Sequence, residues 1–157
     1  MLQGGPIATS GFWKAPDIVP SIAYSDLPSA VEWFERVFGF RERAEARLTW
    51  SGGGTTWIEV GGSLFNIAAP SGPPQEPGIA VLGLVMKVYV DDVDLHFAHA
   101  QSEGAMIISG LENGFWGGRF YRALDHEGHV WEISHRGQDV APERWELPPG
   151  MTRGCDE

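Results

Sequence analysis

The residue with the clearest chemical potential is Glu132, a carboxylate in an otherwise apolar stretch of segment 118–135. The segment predicts two strands joined by the turn Asp125-His-Glu-Gly128, in which the glycine can adopt positive φ. Because successive side chains of a strand point to opposite faces, Glu132 lies on the face opposite Trp131 and Ile133. A carboxylate on the inner face of a terminal hairpin could hold a ligand or a metal ion, or serve as a general acid or base.

Aromatic and charged residues surround this position. Phe115 and Trp116 lie in a glycine-flanked loop, from which their rings could stack on a ligand. Arg119 and Tyr121 share one face of the strand beside Glu132. A buried carboxylate must be paired, protonated or bound by a cationic ligand group, so an Arg119–Glu132 ion pair is one alternative. We favour a Glu132 that is unpaired or paired by a ligand.

The elements that position these residues occur twice. The first set predicts a strand over 17–25, a helix from the N-cap Asp26 to Gly39, and strands over 40–49, 55–60 and 64–68. The second set predicts a strand over 81–90, a helix capped by Asp91 or Asp92 and ended by Gly104, and strands over 105–109, 119–124 and 130–134. An offset of about 66 relates the two sets, which indicates an internal repeat.

The predicted fold class is therefore α+β, with two tandem βαβββ modules that form a curved-sheet cup. Buried helix positions recur at helical spacing in the first module, namely Leu27, Ala30, Val31, Phe34 and Phe38. The predicted boundaries are an N-terminal arm over 1–16, modules over 17–69 and 80–136, a Pro/Gly linker over 70–79 and a C-terminal tail over 137–157. We expect a homodimer, because such modules leave sheet edges uncovered.

Composition excludes several classes of protein. The chain has 157 residues and a formal net charge of −10, which argues against nucleic acid as a partner. No apolar run reaches the length of a membrane span, and the first residues lack the pattern of a signal peptide. The single cysteine, Cys155, fits a reducing compartment, so we expect a cytoplasmic protein. Gly52-Gly-Gly54 precedes neither a lysine nor a helix and is not a phosphate-binding loop.

At three places the sequence resembles a known family. These are Pro20-Ser-Ile-Ala-Tyr-Ser-Asp-Leu with the helix 30–40, Val88-Tyr-Val-Asp-Asp-Val-Asp, and Arg119-Phe-Tyr-Arg-Ala-Leu-Asp-His-Glu-Gly-His-Val-Trp. They are similar to the vicinal oxygen chelate superfamily of glyoxalases, bleomycin-resistance proteins and dioxygenases, most of all to its PhnB-like branch. The resemblance implies the fold of that superfamily. It does not single out a reaction, because the superfamily hosts lyases, epimerases, dioxygenases, thiol transferases and binding proteins.

The resemblance also implies four metal-ligand positions, on the first and fourth strand of each module. Counting back from the helix caps assigns the first-strand positions to Val19 and Val85, and the fourth strands place the other two at Asn66 and Glu132. Valine has no donor atom, and one amide with one carboxylate is too few ligands for a tight site. We therefore expect no metal and no other cofactor. Asn66, the two valines and nearby Trp57 are instead interpreted as ligand-binding residues of the cup.

Three functions remain open at this point. The first is a metal-independent binding protein for an aromatic or cationic small molecule, such as an antibiotic that it sequesters. The second is a metal-free isomerase or cyclase in which Glu132 is the catalytic acid or base. The third is a metal-dependent lyase or dioxygenase whose ligands lie at other positions. The five histidines are interpreted as structural or solvent-exposed, with His96 a hydrogen-bonded group on the apolar side of its helix.

Overall fold

The structure is a computed structural model that describes residues 18–69, 84–135 and 140–154. The predicted arm 1–16 and linker 70–79 lie outside the described residues. The chain divides into two compact units. Within the described ranges, the first unit holds residues 18–31 and 40–69, and the second holds 32–39, 84–135 and 140–154. No helix of the described ranges is long and apolar enough to cross a membrane.

The first unit contains one mixed sheet and the beginning of helix α1, Leu27–Trp33. Its strands are β1 Ser21–Ala23, β2 Arg41–Glu42, β3 Leu48–Trp50, β4 Gly53–Val60 and β5 Ser63–Ala69. The strand order is β1-β5-β4-β2, and β3 also pairs with β4. β1 runs parallel to β5 with Ser21 opposite Asn66, whereas β4 and β5 form an antiparallel hairpin. The predicted stripe at the start of α1 is confirmed, because Leu27, Ala30 and Val31 are buried.

The prediction of one continuous strand over 40–49 is wrong. A 3₁₀ turn at Ala44–Ala46 separates β2 from β3. Arg47 folds back to Glu42 with donor–acceptor distances of 2.6 and 2.7 Å, and Thr56 donates to the same carboxylate at 2.8 Å. Burial alone raises the pKa of Glu42, but the two donors and the Arg47 charge outweigh it, so that its pKa is lowered. This buried ion pair explains why alternating arginines and glutamates do not mark a regular strand here.

The second unit repeats the same order of elements. They are β6 Val85–Val90, α2 Val93–Ser102, β7 Met106–Asn113, β8 Arg119–Leu124 and β9 Val130–His135. The sheet order is β6-β9-β8-β7, with β6 parallel to β9 and the other pairs antiparallel. The first strand of each unit thus pairs with the last, which confirms the α+β class and the two βαβββ modules, the first of them with one strand divided into β2 and β3. Ser21 opposite Asn66 matches Lys87 opposite Glu132, so the predicted offset of 66 holds for these paired strands.

One face of the second sheet is covered by helix, and we call it the helix face. The end of the first helix, a π-helical turn at Phe34–Phe38, packs on Trp131 with ring centroids 5.1 and 5.7 Å apart. Gly39 ends that helix with φ of 69°, as predicted. Helix α2 begins at the predicted cap, where the Asp92 carboxylate accepts a hydrogen bond from the backbone N–H of Leu95 at 3.0 Å.

Candidate functional site

The opposite face of the second sheet carries Glu132, and we call it the Glu132 face. Glu132 lies on the central strand β9, with Lys87 beside it on β6 and Arg122 beside it on β8. Paired residues of neighbouring strands point to the same side, so the three side chains form a row across the sheet. Glu132 is 3% exposed, whereas the side chains of Lys87 and Arg122 are 59% and 46% exposed. The two cations therefore shield the carboxylate while remaining in contact with solvent.

Both oxygens of Glu132 are engaged by these cations. Arg122 donates from Nε to Oε2 at 2.9 Å, and its Nη2 lies 2.8 Å from the same oxygen. Lys87 Nζ lies 3.4 Å from Oε1. The expectation of an unpaired or ligand-paired Glu132 is wrong. The physical reason is the cost of burying a charge, which the protein offsets with its own cations.

The alternative pairing of Glu132 with Arg119 is also wrong. Arg119 donates to Asp94 at 3.0 and 2.9 Å and to Asn113 Oδ1 at 3.1 Å. This ion pair raises the pKa of Arg119 and lowers the pKa of Asp94. Tyr121 is fully buried on the helix face, opposite Ile133 in the register. The structure therefore brings neither Arg119 nor Tyr121 to the Glu132 face.

The turn between β8 and β9 explains both errors. Leu124 is opposite Val130, so the loop has five residues, Asp125 to His129, rather than the four predicted. One extra residue in the loop shifts the register of β8 against β9 and exchanges the two faces of β8. Arg122 therefore lies beside Glu132, on the face where Arg119 and Tyr121 were predicted. The buried Asp125 carboxylate holds this longer loop by accepting from the backbone N–H of Glu127 and of His129, each at 3.0 Å. The spacing Asp-x-x-x-His is a sequence signal that could have suggested it.

His96 is a hydrogen-bonded core group, as predicted. Its Nε2 lies 2.9 Å from the backbone carbonyl of Phe38, and its Nδ1 lies 2.7 Å from the Tyr121 hydroxyl. A carbonyl can only accept, so Nε2 carries the proton and Nδ1 accepts from the tyrosine O–H. Burial lowers the pKa of His96 and raises the pKa of Tyr121. The pair thus fastens α2 to the sheet and to the π-helical turn.

Trp116 connects the Glu132 face to the loop between β7 and β8. Its indole stacks on the Phe120 ring at 5.4 Å and 24°, and the Arg122 guanidinium carbon lies 5.6 Å from the centroid of that ring. A Cβ on Gly114 would lie 2.5 Å from the indole, and a Cβ on Gly118 would lie closer still. Both glycines therefore leave room for the indole to lie against the loop, and a side chain at either position would displace it.

A cleft of about 430 Å³ opens beside this stack. Its lining consists of loop residues, the aromatic stack and one residue of the C-terminal segment: Glu112, Asn113, Gly114, Phe115, Trp116, Phe120 and Pro148. Phe115 packs edge-on against both Trp116 and Trp145, at 5.1 and 5.9 Å. Sequence reasoning found the two aromatic residues of the loop and missed Phe120, Arg122 and Lys87. The alternation of β8 could have identified Phe120 and Arg122 if the turn had been counted correctly.

The corresponding position of the first unit is neutral. Asn66 accepts from the Ser21 hydroxyl at 2.8 Å, and its amide nitrogen donates to Thr55 Oγ1 at 2.8 Å and to the carbonyl of Thr56 at 3.0 Å. Trp57 is opposite Asn66 in the register of β4 and β5. Both amide hydrogens of Asn66 are thus used within this unit.

The two valines lie away from these positions. Val19 precedes β1, and Val85 is opposite Val130, two residues from Glu132 along β9. The residues beside Asn66 and Glu132 are instead Ser21 and Lys87. Counting back from the helix caps therefore went two residues too far along each first strand.

The described residues around Asn66 and around Glu132 do not form a donor set that fits a divalent metal. A metal ion at Glu132 would have to displace Lys87 and Arg122, two cations already on its oxygens. Ser21 and Asn66 supply only neutral oxygens, and these are already joined to each other. Within the ranges that the structure describes, no three His, Cys, Asp or Glu side chains cluster as metal ligands would.

Comparisons with known proteins agree on the family. The model of the Glyoxalase/Bleomycin resistance protein/Dioxygenase superfamily matches residues 18–133. The crystal structure of TioX from Micromonospora sp. ML1 is 32% identical, covers 80% of this chain and 100% of its own, and superposes with a TM-score of 0.61. A family enzyme from Burkholderia phytofirmans PsJN, 18% identical, covers 73% of this chain and 94% of its own, with a TM-score of 0.55, and shows the fold alone. An uncharacterized protein of Mycobacterium tuberculosis strain H37Rv is 23% identical over 133 residues, 80% of this chain and 77% of the relative.

Proposed function

Because the chain belongs to the glyoxalase/bleomycin resistance protein/dioxygenase superfamily, we propose that it binds a planar aromatic small molecule without a metal ion. The binding place is the cleft beside Trp116, at the edge of the Glu132 face. The proposed role is sequestration of the compound, for instance an aromatic antibiotic, rather than its turnover. The family accommodates both binding proteins and enzymes, so the choice between them depends on the chemistry of this site.

The observation that carries the proposal is the Trp116–Phe120 stack on the wall of the cleft. A volume of about 430 Å³ falls within the usual range for small-molecule pockets, about 300–1,000 Å³. Three of the seven lining residues are aromatic, and Trp116 is 37% exposed, so part of its indole can contact a bound ring. The contacts of the indole with Phe120 and Phe115 restrict its orientation before a ligand arrives, which lowers the entropy lost on binding.

Glu132 fits proton transfer poorly. A general acid or base must present an oxygen to the substrate, whereas Arg122 occupies Oε2 and Lys87 lies against Oε1. The contacts of Glu132 therefore support a metal-free isomerase or cyclase less well than a binding protein. A metal-dependent enzyme is also less well supported, because Lys87 and Arg122 occupy the carboxylate that a metal ion would need.

A titration with planar aromatic compounds, followed by calorimetry and by tryptophan fluorescence, tests the proposal. Trp116→Leu removes the stacking surface and should weaken binding about tenfold, because aromatic contacts of this kind contribute ~1–3 kcal/mol. Trp116→Phe should retain most of the affinity. Trp50→Phe, at a half-exposed tryptophan of the first unit, is the matched control and should bind as the wild type does. Equal affinity of the wild type and Trp116→Leu for every aromatic probe would refute the proposal.

Three further proposals concern the branch of the family, the oligomeric state and the cellular location. We propose that the chain belongs to the PhnB-like branch, on the motifs around its helices and last hairpin. We propose that it acts as a homodimer, because the edge strand β7 exposes Met106 and Ile108. We propose a cytoplasmic location, which a chain with one cysteine suits.

A further inference from the structure

We propose that the ligand of the Glu132 face is an aromatic acid, whose rings occupy the cleft and whose anionic group binds Arg122 and Lys87. The inference rests on the proposed function and adds the charge of the ligand to it. It replaces the cationic ligand that the sequence suggested for Glu132. The juxtaposition that carries it is a pair of half-exposed cations on one buried carboxylate, next to the aromatic stack.

The row of three charged residues carries more positive than negative charge. Two cations share the single carboxylate of Glu132. Two other arginines of the second unit, Arg36 and Arg119, are each matched with one acid, Glu103 and Asp94 respectively. The row therefore carries one positive charge more than its single acid, and an anionic ligand would balance it.

The cations also retain unused donors. Arg122 spends Nε and Nη2 on one oxygen of Glu132, and its Nη1 has no hydrogen-bond partner among the described residues. Lys87 has three N–H donors, and its distance of 3.4 Å from Oε1 is too long for a strong hydrogen bond. A carboxylate of the ligand could accept from both groups without displacing Glu132. Charge-assisted hydrogen bonds of this kind are about twice as strong as neutral ones.

The aromatic stack lies within reach of these donors. The steps from Trp116 to Phe120 and from Phe120 to the Arg122 guanidinium are 5.4 and 5.6 Å, so a two-ring aromatic acid can span them. Glu112 lines the same cleft and has the opposite charge. Its carboxylate accepts a hydrogen bond from the hydroxyl of Ser109, the residue opposite Arg122 in the register of β7 and β8, so Glu112 would repel an anionic ligand there. The remaining polar residue of the lining, Asn113, is neutral and accepts from Arg119.

The chain's net charge of −10 opposes an anionic ligand at long range but not at contact. At physiological ionic strength, charges separated by more than about 8 Å of water are largely screened. The two cations would touch the ligand directly and are screened least. Added salt should therefore reduce the long-range repulsion more than the contact attraction, so the preference for an acid should persist as salt rises.

The test compares 2-naphthoate with 2-naphthamide and 2-naphthylmethylammonium on the full chain at neutral pH. The acid should bind at least about tenfold more tightly than the amide, as expected of charge-assisted hydrogen bonds. The ammonium compound should bind most weakly. Equal binding of acid and amide, or a preference for the ammonium compound, would overturn this inference and leave the proposed function standing. If none of the three binds, both are overturned. This comparison uses the wild-type protein and does not depend on any variant folding.

Four variants sharpen the result. Glu132→Gln removes the acid that competes for the cations, so naphthoate binding should become several-fold tighter. Glu112→Gln removes the repulsion within the cleft and should act in the same direction. Arg122→Gln, tested with Lys87→Gln as the milder partner, should reduce the ratio of acid to amide affinity toward one. Weaker naphthoate binding by Glu132→Gln, in a protein that melts cooperatively, would contradict the inference.

Discussion

Replacing Glu132 with glutamine should destabilise the second unit, because the change removes the anion that two cations share. Glutamine has nearly the same shape, so packing changes little and the effect reports on charge. Breaking a fully buried ion pair costs ~3–5 kcal/mol, because it strands a buried charge. Here the stranded groups, Arg122 and Lys87, are 46% and 59% exposed and can be hydrated by water. We therefore discount the cost to ~1–2 kcal/mol, close to that of one charge-assisted hydrogen bond.

Urea denaturation at neutral pH measures this cost directly, and thermal melts measure it independently. For a chain of this length, ~1–2 kcal/mol corresponds to a fall in Tm of roughly 2–8 °C. Asp94→Asn is the matched control, because Asp94 is also paired by an arginine of the second unit but is 58% exposed. That variant should change stability by less than ~1 kcal/mol, as exposed ion pairs do. If Glu132→Gln is as stable as the wild type, or more stable, the shared carboxylate is not a structural partner and the reasoning fails.

Three further measurements test other parts of the structure. The pKa of His96 is lowered in the folded state, so its contribution to stability is complete above the unfolded pKa of ~6.5 and decreases as pH falls toward the lowered folded pKa. Urea midpoints between pH 7.5 and 5.5 should therefore fall more steeply for the wild type than for His96→Gln, and parallel curves would contradict this. Gly118→Ala should cost ~1–3 kcal/mol because its Cβ meets the Trp116 indole, whereas Gly110→Ala, with open space around its Cβ, should be nearly neutral; equal stabilities would contradict the close approach. Light scattering should give twice 17.2 kDa if the chain forms the proposed homodimer, and a monomer mass would refute it.

The order of elements could be predicted because periodic signals along the chain encode it. The helix stripe, the Asp92 cap and the offset of 66 each depend on spacing alone, and the structure confirms each. The break inside 40–49 could not be predicted in this way, because it depends on Arg47 folding back to Glu42. A side chain that bonds backward across a turn leaves no periodic trace in the sequence.

The site was predicted less well than the fold, for a reason specific to strands. A helix tolerates a boundary error of one residue, whereas in a hairpin the same error exchanges every side chain between the two faces. The extra residue in the loop from Asp125 to His129 placed Tyr121 under helix α2 and Arg122 beside Glu132. The partner of the central carboxylate was therefore assigned wrongly, although the carboxylate itself was identified.

A comparison of the two units shows that Lys87, Glu132 and Arg122 depend on one another. In the first unit the row is Ser21, Asn66 and Trp57, and the neutral amide is satisfied by a hydroxyl and by the backbone of its own sheet. In the second unit the corresponding strand positions carry Lys87, Glu132 and Arg122.

A carboxylate at the central position cannot remain buried beside a serine and a tryptophan alone, because neither neutralises its charge. Two cations on one acid stabilise the sheet and also leave positive charge toward solvent. The same contacts that hold Glu132 in place thus set the charge of the ligand that the face can accept, which is why stability and binding should respond in opposite directions to Glu132→Gln.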